Sequence, residues 1–211
     1  MRKSSSSIAQ ISIFFAIMVT IHFTSTMIFQ FFPFLIPPTF VHIPVVIASI
    51  LYGPRIGGTL GLLMGLFSLT INTIVQLPSS YLFSPFVEKG NLYSLIIVLV
   101  PRILIGITPY FVYKLIHNKS GLAIAAAVGS FTNTFFVLSG IFIFFSKNYP
   151  GGIQAFLGAV LTTNSLIEVL ATVILTLAII HLSQKLRIHY KSFSFITLSN
   201  EGVIFLWILN I

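Results

Sequence analysis

The sequence predicts an all-α membrane protein, built as a bundle of six transmembrane helices. Of its 211 residues, 56% are hydrophobic and only 7% are charged, and the mean hydropathy is +1.05. A water-soluble globule of this size would need more polar side chains to cover its surface. Two further observations support the prediction: the apolar residues form six long segments, and Lys and Arg are concentrated in alternate connections.

The six segments are separated by short stretches rich in proline, glycine and polar residues, and comprise residues 8–29, 40–52, 56–77, 92–115, 122–145 and 155–182. Five are long enough for a hydrocarbon core that needs about 20 helical residues. The second would rise only about 20 Å, so it must end inside protein or beside a cavity. The first segment follows a basic start but no small-residue cleavage site follows it, so we expect a retained helix rather than a signal peptide.

Charge placement orients the bundle. With a cytoplasmic N-terminus, Lys89 and Lys147 lie outside, and eight basic residues lie inside: Arg2, Lys3, Arg55, Lys114, Lys119, Lys185, Arg187 and Lys191. This positive-inside bias, with an even number of helices, predicts that both termini are cytoplasmic. We expect one transmembrane domain over residues 1–191. Residues 192–211 are expected to form a short tail, interfacial or disordered, because its apolar stretch is too short to span.

The sequence "GPRIGG" predicts a tight cytoplasmic turn between the second and third helices. Pro54 would break a helix interior, and Gly53 suits a helix C-cap. The spacing of Gly57, Gly61 and Gly65 then gives the third helix a smooth face for close packing against a neighbour. A phosphate-binding loop is excluded because the stretch lacks the required lysine.

The sequence disfavours an enzyme and a nucleic-acid-binding protein. It has no cysteine, only three acidic residues, and five histidines without metal-ligand spacing or a nucleophile motif. Its basic residues are not clustered with aromatic residues that could stack on bases. We therefore expect no catalytic residue, no metal site and no cofactor.

Ionisable and amide side chains within apolar helices are the better candidates, because their burial in a membrane is costly. Six of them are predicted to line one outward-facing substrate pocket: Arg102, Asn133, Asn164, Asn72, Gln76 and Glu168. Arg102 could bind a carboxylate through two parallel hydrogen bonds. Two alternatives stay open: Arg102 could pair with Glu168 or reach the outer interface, and each amide could simply join two helices.

The ordered set "HIPVVIASILYGPRIGGTLG", "FSPF", "VPRILIG", "GSFTNTFFVLSG" and "NSLIEVLATVIL" resembles the membrane-embedded S components of energy-coupling-factor (ECF) transporters, and most closely their pantothenate-type branch. The resemblance covers residues 8–182. It implies a vitamin-binding subunit in a bacterial plasma membrane, covered by outer loops at residues 30–38, 78–91 and 146–154. For a pantothenate-like ligand, Arg102 or amide donors would bind the carboxylate, and the asparagines would bind its hydroxyls and amide.

The same resemblance implies partners: a transmembrane T component and two cytoplasmic ATPases that use the ATP. The docking pattern of the family, two alanines four residues apart on helix one, corresponds to Ser12 and Ala16 here, with Ala9 nearby. Serine keeps the small size but departs from the pattern. The alternatives are an S component for another vitamin, such as a pyridoxine-type compound, folate or riboflavin, and a stand-alone proton-coupled carrier with Glu168 as its proton site.

Overall fold

The computed structural model describes the backbone of residues 2–31, 39–145 and 165–200. Every regular element in these ranges is helical: α1 (Arg2–Phe29), a 3-10 turn (Phe40–His42), α2 (Ile43–Tyr52), α3 (Pro54–Ile74), a second 3-10 turn (Ser80–Leu82), α4 (Tyr93–Ile105), α5 (Thr108–Leu115), α6 (Lys119–Phe145) and α7 (Ser165–Asn200). Five stretches are long and apolar enough to cross a membrane: Ser7–Phe29, Pro54–Ile74, Tyr93–Leu115, Lys119–Phe145 and Ser165–Ser183. The predicted class, an all-α membrane protein, is confirmed.

The short second segment is the centre of the bundle. It forms an apolar helical stretch over Phe40–Tyr52, and each residue from 41 to 50 is buried. Helices α1, α3, α5, α6 and α7 all pack against it. This position fits the physical requirement that a helix too short to span must end within protein, since lipid cannot satisfy its free backbone groups.

The turn between α2 and α3 forms as the sequence predicts. Gly53 ends α2 with φ +94°, a conformation that favours glycine, and its N–H donates to the Ser49 carbonyl at 2.9 Å. Pro54 then opens α3, where its missing N–H costs no helical hydrogen bond.

The glycine face of α3 packs directly on α4. A Cβ atom at Gly61 would overlap the backbone of Arg102, and one at Gly57 would overlap Gly106. A Cβ atom at Gly65 would lie 2.9 Å from the Val98 carbonyl oxygen. The two antiparallel helices therefore approach each other closely along three successive turns, and Arg102 lies at the middle contact.

The fourth predicted segment consists of two helices rather than one. Pro101 lies inside α4, which continues to Ile105, and the chain then turns before α5 begins at Thr108. Pro109 occupies the first turn of α5, where proline is well tolerated. The break therefore falls at Gly106, where α4 crosses α3, and not at the proline within the segment.

Helix α1 lies at the edge of the bundle, where it packs on α2, α3 and the first 3-10 turn. Ala9, Ser12 and Ala16, the predicted docking residues, are all exposed on it. At the other end of the chain, α7 continues to Asn200, beyond the predicted domain boundary at residue 191.

Candidate functional site

Arg102 is the one buried Lys or Arg among the side chains that the structure describes, and it is only 7% exposed. Its Nη1 donates to the carbonyl oxygen of Ile97 at 2.9 Å. In an uninterrupted helix this carbonyl would accept from the N–H of residue 101, but Pro101 has none. The proline thus frees a backbone acceptor, and the next side chain along the helix binds it.

The Nε side of the guanidinium differs from the Nη1 side. Arg102 Nε is buried and has no hydrogen-bond partner there. Nε and Nη2 form the edge of an arginine that binds a carboxylate through two parallel hydrogen bonds. An uncompensated buried donor is costly, so this edge is suited to an acceptor supplied by a ligand.

The same guanidinium lies over an aromatic ring. Cζ of Arg102 lies 5.3 Å from the centroid of the Phe83 ring, within the range of a cation–π interaction. Phe83 belongs to the connection between α3 and α4 and packs against the apolar cluster around Ile97 and Phe145. The ring attracts the cation but supplies no hydrogen-bond acceptor to Nε, which has no partner among the described residues.

Glu168 lies at the start of α7 and is 6% exposed. Its Oε1 accepts a hydrogen bond from the backbone N–H of Thr39 at 2.5 Å. It also interacts electrostatically with Arg102, although the described side chains include no direct ion pair between them. Glu168 therefore balances part of the buried positive charge from a distance, while Arg102 Nε stays without a partner among the described residues.

A histidine that the sequence reasoning did not assign joins this group. His42 is fully buried, its Nε2 lies 2.9 Å from Thr172 Oγ1, and its ring interacts electrostatically with Arg102. The Thr172 hydroxyl also donates to the backbone carbonyl of Glu168 at 2.6 Å. The short second helix and α7 are thus linked by polar contacts on the side of the bundle where Glu168 binds Thr39.

Asn133 lies on the neighbouring helix α6, within about one helical turn of the level of Arg102. Gly129 of α6 is packed against Pro109, and Gly140 is packed against Ile97. The antiparallel register between these two contacts places Asn133 opposite Ile105, about 4 Å along the axis from Arg102. Asn133 is 7% exposed, and its Oδ1 has no partner among the described residues. Arg102, Glu168 and Asn133 are therefore the predicted site residues that the fold brings towards one region.

Asn72 and Gln76 lie elsewhere. Asn72 is 11 residues beyond Gly61, or about 16 Å further along α3 from the level of Arg102. Its Nδ2 donates to Ser68, and its Oδ1 accepts from Ser80 at 3.1 Å. Gln76 follows the end of α3 and is exposed. Asn164 lies outside the described residues, as do most of the first predicted outer loop and all of the third. Ligand contact by all six predicted residues stays a prediction.

Two residues of the site, His42 and Phe83, were missed by the sequence reasoning. Both stand in stretches that carry the family resemblance, "HIPV" and "FSPF". His42 could have been found from its position at the start of the second helix. That helix is too short to span a membrane, so it must be buried in protein together with its polar residues. Phe83 had no comparable signal, because a connection between helices does not reveal which side chain folds back onto the bundle.

A separate groove runs between α4 and α6, with a volume of about 400 Å³. Its lining is apolar, with Ser139 as its single polar residue, and Ile143 and Phe135 are more than half exposed on it. Such a surface suits hydrocarbon rather than a polar solute. The polar group around Arg102 is therefore the better candidate for the functional site.

The fold and the site define a multi-pass membrane protein with a buried group of polar side chains between its helices. The family model described as "ECF transporter, substrate-specific component" matches residues 6–181, and the chain belongs to this family. The predicted family is therefore confirmed, and the chain is a transport subunit, not an enzyme. It is 45% identical over 193 residues to a protein named "Pantothenic acid transporter PanT" from Lactococcus lactis subsp. cremoris (strain MG1363), a match that covers 89% of this chain and 98% of that protein.

Proposed function

We propose that this chain captures pantothenate as the S component of an ECF importer. One finding supports the choice of substrate, and another supports the assignment of the site. A pantothenic acid transporter matches nearly the full length of the chain at 45% identity. The observation that carries the site assignment is the buried Arg102, whose Nε edge has no protein partner in the described part of the chain.

The chemistry of pantothenate fits the unpaired groups. Its carboxylate matches the Nε and Nη2 edge of Arg102, and removal of both charges from water strengthens their attraction. Its amide N–H and hydroxyl groups supply donors for the unpaired Asn133 Oδ1, and Ser130 Oγ is a second buried group without a partner there. A ligand with one carboxylate and several hydrogen-bonding groups would therefore satisfy atoms that the protein leaves unsatisfied.

The proposal extends to topology and assembly. Five spans and the buried short helix make six transmembrane segments, with both termini in the cytoplasm of a bacterial cell and the site in the outer half. A T component would pack on α1, where Ala9, Ser12 and Ala16 are exposed small residues that permit close approach. Two ATPases would then supply the energy. The chain alone in vesicles is expected to bind pantothenate without accumulating it, even with a proton gradient.

Titration calorimetry on the detergent-purified chain tests the substrate and the role of Arg102 together. Pantothenate is compared with panthenol, in which a hydroxymethyl group replaces the carboxylate. We expect the wild type to prefer pantothenate by at least about 30-fold, since loss of one partner of a buried charge pair costs 2–5 kcal/mol. Arg102→Ala should abolish this preference, and Arg55→Ala, a change at an exposed arginine, should retain it.

Two results would contradict the proposal. If the wild type binds riboflavin, folate or a pyridoxine-type compound more tightly than pantothenate, the substrate is wrong. If Arg102→Ala still prefers pantothenate over panthenol, the carboxylate is bound elsewhere.

A further inference from the structure

We propose that Pro101 and Phe83 are positioning residues that hold the guanidinium of Arg102 so that its Nε edge stays available to the carboxylate of the ligand. Neither residue needs to touch the ligand. The inference rests on the proposed function in one respect, that the ligand carries a carboxylate.

Pro101 acts through the backbone. Because it lacks an N–H, the carbonyl of Ile97 loses its helical donor, and Arg102 Nη1 takes that place at 2.9 Å. This bond turns the side chain back along its own helix and fixes one nitrogen of the guanidinium. It also leaves the opposite edge, with the buried and unpaired Nε, free for an acceptor.

Phe83 acts on the same group through a cation–π contact. Its ring centroid lies 5.3 Å from Arg102 Cζ, so it attracts the cation and restrains its position. The ring also takes the place of water beside the guanidinium, which strengthens the attraction of this group for an anion.

The loop that carries Phe83 is fixed on both sides of the ring. Ser84 Oγ lies 2.7 Å from Thr73 Oγ1 of α3, and Ser94 Oγ of α4 donates to the Tyr81 carbonyl at 2.7 Å. The Ser80 hydroxyl donates to Asn72 Oδ1 at 3.1 Å. These bonds tie the loop to the two helices that meet at Arg102, so the position of the ring is set by the fold rather than by the ligand.

The two constraints are complementary because one is a hydrogen bond from a single nitrogen and the other is a cation–π contact with the whole guanidinium. A free arginine side chain has many rotamers, and fixing it before binding lowers the entropy lost when a ligand is bound. Removing either constraint should therefore reduce the preference for a carboxylate, with little effect on an uncharged analogue. A residue that only supported the fold would change the affinity for both ligands together.

The test measures the ratio of panthenol to pantothenate dissociation constants, together with the melting temperature, for the purified chain. Phe83→Leu should lower this ratio about tenfold. Phe83→Tyr, which keeps an aromatic ring, should have the wild-type ratio. Pro101→Ala should lower it several-fold while raising the melting temperature, because the new N–H can bind Ile97 and strengthen the helix. Opposite changes in stability and selectivity are the signature of a positioning role.

Phe86→Leu is the matched control, since Phe86 lies in the same loop but is 73% exposed, and the ratio should stay at the wild-type value. The inference is wrong if Phe83→Leu and Pro101→Ala both keep the wild-type ratio while Arg102→Ala abolishes it. That result would leave the proposed function intact. A wild type without any preference for pantothenate would instead overturn the proposed function, and this inference with it.

Discussion

The contact between Gly61 and Arg102 gives a direct test of how helix packing supports the site. A methyl group at Gly61 would lie 2.8 Å from the carbonyl carbon of Arg102 and closer still to its oxygen, whereas ordinary contact begins at 3.4 Å. In Gly61→Ala, α3 and α4 must therefore separate by more than about 0.6 Å at this level. Overpacking of this kind typically costs about 1–3 kcal/mol of folding free energy.

Gly58→Ala is the matched control on the same helix. Its added methyl group would meet only the Ile107 side chain, at 3.4 and 3.6 Å, which is ordinary van der Waals contact. Both substitutions gain the same helix propensity, so the difference between them isolates the cost of overpacking. We expect Gly61→Ala to melt roughly 5 °C below Gly58→Ala in detergent, since 1 kcal/mol corresponds to about 2–4 °C for a chain of this length.

The affinity for pantothenate should follow the same order, because the displaced atoms belong to the backbone of Arg102 itself. Thermal unfolding and calorimetry on the two variants provide the measurements. Equal melting temperatures for Gly61→Ala and Gly58→Ala would refute the close backbone contact. A lower melting temperature with unchanged affinity would show that the guanidinium is positioned independently of the α3–α4 contact.

Two further predictions concern α7. Glu168→Gln keeps an acceptor oxygen but removes a negative charge near Arg102, so calorimetry should show tighter pantothenate binding, by up to about tenfold; unchanged affinity would show that Glu168 does not repel the ligand. Thr172→Val leaves His42 Nε2 without its partner and should lower the unfolding free energy by about 1–3 kcal/mol. Thr176→Val, whose buried hydroxyl has no partner among the described residues, should cost less than Thr172→Val in thermal unfolding, and equal losses would contradict the assigned role of the hydrogen bond.

The elements of the fold were predictable from the sequence where a single physical rule dominates. Apolar length identified the spans and the short helix, and the helical spacing of Gly57, Gly61 and Gly65 identified a face that packs closely. The break in the fourth segment was not predictable in this way. Pro101 is the stronger local signal, but the turn falls at Gly106, where contact with Gly57 of another helix decides the geometry.

The site was predictable in its residue types but not in its arrangement. Burial of Arg102 and Glu168 within apolar helices marked them as candidates, because such groups are rare and costly there. Periodicity could not separate Asn133, which lies within about one helical turn of the level of Arg102, from Asn72, which binds the loop residue Ser80. That difference depends on helix register and loop conformation, and both are set by contacts between residues distant in the sequence.

Under the proposed function, the arrangement around Arg102 shows how a bundle of apolar helices could hold a charge for a ligand. A direct ion pair with Glu168 would neutralise the guanidinium but would occupy the edge that a substrate carboxylate needs. Here a proline frees a neutral carbonyl to bind one side of the group, an aromatic ring makes a cation–π contact with it, and the Glu168 carboxylate binds Thr39 instead. These contacts therefore offset only part of the free energy that the guanidinium loses when it is removed from water, and a bound anion would offset more of it. It follows that pantothenate should stabilise the folded chain in proportion to the logarithm of its concentration, and that Arg102→Ala should lose most of this effect.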